Sequence, residues 1–356
     1  MQKLYIIIII LLAPFISFAQ VDDASFASEY FSGKVIETQT SESGHILYRT
    51  QLSDGTTIEL DTFGEEIPVG ARVYVEYFTQ QDYYNFVTVN RVNPMIFLTI
   101  LFVLSIIILA RKKGLRSLGS LGLSILLLFG VLIPLLLRGF DPLWTTLIFG
   151  LVILFISIFV THGFNKQSLV AFLGSFGSII LAFVLLSIVT EATFLTGLIN
   201  DHIQYLSFEV ENTINLVRLV SASIIIGVLG VLDDITVTQV AVVRELSSTE
   251  GIKKNTIFAK ALRVGRDHIS SLVNTLVFAY VGATLPLIMF ISLLEIPFLI
   301  LISQEFIFIE IIRSLIGAIA LTLAVPLTTW LAAYVFLPAI KRDQKALESA
   351  CAHHNH

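Results

Sequence analysis

Charge is what this chain has least of. Only 14% of its 356 residues are Asp, Glu, Lys or Arg, 55% are hydrophobic, and mean hydropathy is +0.86. A soluble domain cannot sustain that balance, so the chain reads as an integral membrane protein whose first partner is the lipid bilayer. The net charge of -5, with basic residues in short runs beside apolar segments, excludes a nucleic-acid partner. A single cysteine, Cys351, excludes an intrachain disulfide and leaves the redox compartment open. H-E-x-x-H spacing and a nucleophile–base pair are also missing, so no catalytic residue, cofactor or metal ligand is assigned, and an enzyme is the least favoured class.

What is present begins with Lys3, an apolar run over 4–16 and the small-x-small triplet Ser17-Phe18-Ala19. This predicts a cleaved signal peptide over 1–19, with an uncleaved anchor as the alternative; both send the next segment outward. From 20 to 93 the texture turns alternating, β-branched and aromatic. Strands are expected at 33–40, 45–52, 56–61, 72–78 and 85–92, with Ser53-Asp54-Gly55 as a hairpin turn. Five short strands point to a small OB- or SH3-like barrel. Its Tyr74, Tyr77, Phe78, Tyr83, Tyr84 and Phe86 either form a surface for an extracytoplasmic partner or divide between core and scattered exposed rings.

Residues 94–340 read as a transmembrane domain and 341–356 as a tail. Apolar segments lie near 95–110, 117–137, 143–161, 168–189, 215–235, 268–293 and 311–338, which predicts about seven spans by the length needed to cross hydrocarbon. Basic residues fill alternate connections: Arg111, Lys112, Lys113 and Arg116; Lys166; Arg244 through Arg266; then Lys341, Arg342 and Lys345. By the positive-inside rule the β-domain lies outside and the C-terminus inside. The outer connections 193–212 and 298–313 mix acids with apolar residues and suit helices lying at the interface. The fold class is thus an α-helical polytopic membrane protein preceded by a small all-β domain.

Two spans share a G-x-x-x-P-L string, from Gly130 to Leu135 and from Gly282 to Leu287, and Pro326 interrupts the last span. A proline inside a span frees a carbonyl that a neighbour or a cavity must satisfy. The run Gly174-Ser175-Phe176-Gly177-Ser178 suits close helix contact. Further strings are G-F-D-P-L-W from Gly139, T-H-G-F-N-K-Q-S-L-V-A-F-L-G-S from Thr161, G-V-L-G-V-L-D-D-I-T-V-T-Q from Gly227, V-G-R-D-H-I-S-S-L-V-N-T-L from Val264, E-I-I-R-S-L-I-G from Glu310 and A-V-P-L-T-T from Ala324. In this order and spacing the chain resembles the YibE/F-like family of bacterial multi-pass membrane proteins. That resemblance implies an outer β-rich domain and a helical membrane domain in the bacterial inner membrane. It carries no settled activity.

The candidate site is polar sequence inside apolar helix. Asp233 and Asp234, followed by Thr236, Thr238 and Gln239, end the fifth expected span. Ionisable groups there either mark a substrate path or pair with Arg244, Arg263 or Arg266 to lock helix ends. Arg266, Asp267 and His268 open the sixth, where Asp267 suits a helix cap. His268, Ser271 and Thr275, with Asn274 adjacent, follow as a stripe that faces a neighbour or a cavity. The expectation is that both aspartates meet His268 around a hydrated hollow and bind a small ion or solute. His162 with Asn165 reads as a turn, Glu310 with Arg313 as a helix pair, and the end His353-His354-Asn355-His356 as a flexible tail. Two functions follow: a transporter or permease coupled to a cation or proton, or a membrane-anchored assembly protein working through its outer β-domain.

Overall fold

The computed structural model of the chain describes residues 28–40, 46–62, 66–79, 81–199, 201–209, 214–248, 254–293 and 296–353. The expected signal peptide and residues 354–356 lie outside them. The chain divides into two compact units, which meet in sequence at Arg111 and Lys112.

In the first unit β1 (Ser28–Thr40), β2 (Ile46–Leu52), β3 (Thr57–Asp61), β4 (Arg72–Phe78) and β5 (Tyr83–Val89) form one antiparallel sheet in the order β3-β2-β1-β4-β5. β1 starts earlier than the local pattern suggests because its first half pairs with β4 and its second half with β2. Long-range pairing there outweighs a weak local signal. The two pairings overlap at Gly33, where an added Cβ would come within 2.6 Å of the Thr50 methyl. Alternation puts Val35, Tyr48, Leu52, Leu60, Val73 and Val75 inside. The expected hairpin turn is present. Gly55 has φ +91°, Asp54 accepts from the Thr56 amide at 2.9 Å, and the Leu52 amide donates to the Thr56 carbonyl at 2.8 Å. β3 also lies beside β5, which curls the sheet. Of the aromatic group, Tyr84 and Phe86 pack on the core, the Tyr77 ring lies tilted against Tyr84 with centroids 4.7 Å apart, and Tyr83 is exposed.

The helices follow as α1 (Val92–Leu127), a π-turn (Leu128–Leu132), α2 (Ile133–Leu137), α3 (Pro142–His162), α4 (Lys166–Ala192), α5 (Asp201–Glu209), α6 (Leu216–Ser247), α7 (Lys254–Ala283), α8 (Leu285–Ser292), α9 (Phe298–Ile302) and α10 (Glu305–His353). Five helical stretches are long and apolar enough to cross a membrane, or six with the pair α7 and α8, which bend by 63°. The expected count of seven had separated 95–110 from 117–137. Both fall within Val92–Leu137, broken at Arg111, whose φ of 50° and ψ of -126° interrupt the helix.

The two G-x-x-x-P strings become two different interruptions. Pro134 has no amide hydrogen to give Gly130, and one residue earlier the Ile133 amide reaches back five residues to Leu128, making the π-turn. Pro286 sits at the start of α8, where a missing amide costs nothing, and the helix axis turns there. The segments expected at the interface contain the short helices α5 and α9. Helix α10 continues through the expected tail to His353, since 341–350 contains no glycine or proline and several strong helix formers.

The core of the second unit lies where α4, α6 and α10 meet. Ala171 and Ile179 of α4, Ile225, Leu232 and Val240 of α6, and Ala320, Ala324 and Ala332 of α10 are buried together. Gly174 of α4 lets Thr328 of α10 approach so closely that a Cβ would strike its side chain. Small residues at a membrane-helix interface act this way because lipid offers no hydrophobic drive to hold helices together.

Candidate functional site

Helices α3 and α6 run side by side in the same direction, anchored at two levels. At the first, Asp141 caps α3 by accepting from the Leu143 and Trp144 amides, both at 3.1 Å, and pairs with Arg218 of α6. Burial pushes the Asp141 carboxyl up, but the Trp144 amide, the Arg218 guanidinium and the Leu143 amide outweigh it and hold the group below its ordinary value. At the second level Ser157 donates to Asp233 Oδ2. The matched spacings, Asp141 to Ser157 and Arg218 to Asp233, put Asp233 about 22 Å along α6 from its charged start, well inside the span.

This pair of helices forms one wall of a cavity of about 420 Å³ whose other wall is the 117–132 stretch of α1 and the π-turn. Ser117, Ser120 and Ser124 recur along one face of α1; Thr146, Gly150 and Ser157 do so on α3; Ile226, Gly230 and Asp233 do so on α6. Gly230 helps leave the space, since nothing lies within 4 Å of where its Cβ would be. Leucine and isoleucine supply most of the remaining lining. Three oxygens on this wall have no hydrogen-bond partner among the described residues: Ser120 Oγ, Thr146 Oγ1 and Asp233 Oδ1. Ser120 is 2% exposed and Thr146 1%.

Among the residues expected to form the path, Asp233 alone is on the cavity wall. Asp234, one position and about 100° further round the helix, is exposed. Thr236 is buried and shares a 2.6 Å hydrogen bond with Ser175 of α4, while Thr238 is exposed. Gln239 is buried and donates to the Ala261 carbonyl at 3.0 Å and to Thr329 Oγ1 at 2.7 Å, tying α6 to α7 and α10. Arg266, Asp267, Ser271, Asn274 and Thr275 are exposed. His268 is half-buried, its Nε2 has no partner, and it is not on the wall that holds Asp233.

The arginine alternative also receives an answer. Among the described residues neither aspartate forms an ion pair, and Arg244 instead donates to Gln167 Oε1 at 2.9 Å. No group of three or more His, Cys, Asp and Glu suited to a metal ion occurs among the described residues. Asn165 caps α4 through the Ser168 amide at 2.9 Å and ties back to the His162 carbonyl at 2.9 Å, the expected turn. Glu310 and Arg313 pair at 2.7 Å, and Arg313 also reaches Ser223. The hydroxyls of Ser117, Ser120, Ser124, Thr146 and Ser157 escaped the sequence reading. Their helical spacing on two spans is the signal that could have revealed them.

A family model described as YibE/F-like protein matches residues 98–338. No curated protein and no solved structure matches the chain. That match takes in every cavity-lining residue and most of the chain, which belongs to the YibE/F-like protein family.

Proposed function

We propose that the chain is a permease of the bacterial inner membrane that moves a cation or proton through the cavity at Asp233. One observation carries this reading: a carboxylate inside a span lines an interhelical cavity with, among the described residues, one oxygen unpartnered and no ion pair to an arginine or lysine. An acid so placed costs free energy that a purely structural bundle has no reason to bear. The basic runs support an outer position for the sheet domain and an inner one for the C-terminus. The path is narrower than the sequence alone implied, running along the hydroxyls of α1 and α3 toward Asp233.

The test is flux in proteoliposomes under an imposed cation or pH gradient. Asp233→Asn abolishes it and Asp234→Asn leaves it, because only the first side chain meets the cavity. Equal flux in both variants, or none in the parent protein, rejects the reading.

A second reading has its own observation. Ile36, Ile46, Val69 and Val87 are exposed on the sheet domain, which supports an assembly role through a partner at that surface. Deleting 21–93 then abolishes assembly while the helical unit remains intact. Retained assembly rules the domain out as the contact.

A further inference from the structure

The geometry points to a single alkali cation as the species the cavity holds, with Asp233 as its charged ligand and the hydroxyls of Ser117, Ser120 and Ser124 as neutral ligands along its way. This inference rests on the permease reading, since it assigns a substrate class to the same cavity.

Charge balance is the first argument. Asp233 is the only ionisable side chain among the described residues of the lining; His162 and Asp234, which also act on it electrostatically, lie off that lining. One carboxylate in a low-dielectric wall is neutralised by one positive charge. A divalent ion would leave an uncompensated charge, and such ions usually gather several carboxylates. An anion would be repelled.

The unpartnered oxygens give the second argument. Ser157 occupies one carboxylate oxygen and leaves Oδ1, itself enclosed, without a partner among the described residues. Ser120 and Thr146 are buried hydroxyls with no hydrogen-bond partner among the described residues, and burying a polar atom unsatisfied is unfavourable. A cation requires only their lone pairs.

Size and lining supply the third. A water molecule takes about 30 Å³ of liquid, so a cavity of about 420 Å³ has room for an alkali ion together with its first hydration shell. A quaternary ammonium ion is recognised by several aromatic faces, whereas Phe149 is the only aromatic residue in the described lining.

The experiment is thermal unfolding of the purified full chain in detergent at constant ionic strength, with choline chloride replaced stepwise by lithium, sodium or potassium chloride. Binding to the native state raises the melting temperature along a single-site curve. We expect at least one alkali cation to do so, Asp233→Asn to remove the response, and Ser120→Ala to raise the half-saturating concentration about tenfold, the change that loss of one ligand of ordinary strength implies. If Asp233→Asn does not fold, the Ser120→Ala shift decides. The inference is overturned if no alkali salt differs from choline, if Asp233→Asn responds like the parent, if Ser120→Ala leaves the half-saturating concentration unchanged, or if magnesium chloride at equal ionic strength stabilises more than any alkali chloride. Alkali stabilisation without flux would keep this inference and reject the permease; flux without alkali stabilisation would do the reverse.

Discussion

Ser157 of α3 donates its hydroxyl to Asp233 of α6, and this bond with the Arg218–Asp141 pair fixes two parallel helices at two levels. Two anchors on one pair set rotation as well as distance. Leu232 and Ile235, 0% and 1% exposed on either side of the aspartates, lock the same rotation from the core. Asp233 is therefore held toward the cavity and Asp234 away from it. Two adjacent identical side chains acquire different surroundings, and any exchange of roles would require turning a helix whose opposite face is packed.

The Arg218–Asp141 anchor carries a pH dependence whose sign follows from Asp141. Its carboxyl is held below the ordinary value, so the stabilisation is complete above about pH 4 and is lost as pH falls through the lowered folded value. Asn is as good a helix cap as Asp, so Asp141→Asn removes the titration while keeping the cap. The pair is half exposed on the arginine side, which limits the difference to about 1 kcal/mol or less. Melting temperatures of parent and variant should converge as pH falls from about 5 toward 3. Parallel curves over that range would show that the Arg218 contact contributes nothing.

Close approach of α4 and α10 makes a second prediction. A Cβ at Gly174 meets the Thr328 side chain, with Thr328 Cγ2 at 3.2 Å, and Thr328 is fully buried. Gly174→Ala should destabilise by about 1–3 kcal/mol through overpacking. Thr328→Ala removes the obstructing atoms and should recover part of that loss, giving a coupling of about 0.5 kcal/mol or more in a double-mutant cycle. Additive effects in thermal unfolding would mean that α4 shifts instead.

Much of the fold was legible because membrane helices and alternating strands carry strong periodic signals. The hairpin at Asp54-Gly55, the His162–Asn165 turn and the Glu310–Arg313 pair are local, and local chemistry is readable. Asp233 stood out as charge within an apolar run. Which aspartate faces the cavity was not readable, because helix rotation is set by Leu232 and Ile235 packing against other spans. Thr236 and Gln239 looked like path residues, yet bonds to Ser175, Thr329 and the Ala261 carbonyl satisfy them inside the bundle. The reverse error hid Ser120 and Thr146. Serine and threonine in a span usually bond their own backbone, as Ser178 and Thr190 do here, so an unpartnered hydroxyl shows only once the neighbouring helices are in place.

Pro134 offers the sharpest separation of stability from function. The π-turn it imposes displaces Leu128 and Leu132, both on the cavity wall. Pro134→Ala restores an amide hydrogen for the Gly130 carbonyl and lets the segment relax to an ordinary α-helix. Proline inside a helix costs about 3 kcal/mol or more, so the variant should melt no lower than the parent. The same relaxation turns the two leucines and reshapes the cavity beside Ser124, so alkali-cation flux in proteoliposomes should fall. Where structure is kept at functional cost, substitutions that regularise it usually trade activity for stability. A variant with unchanged melting temperature and unchanged flux would show that the π-turn is incidental, whereas lower stability would show that Pro134 is held by packing that the ordinary helix cannot make.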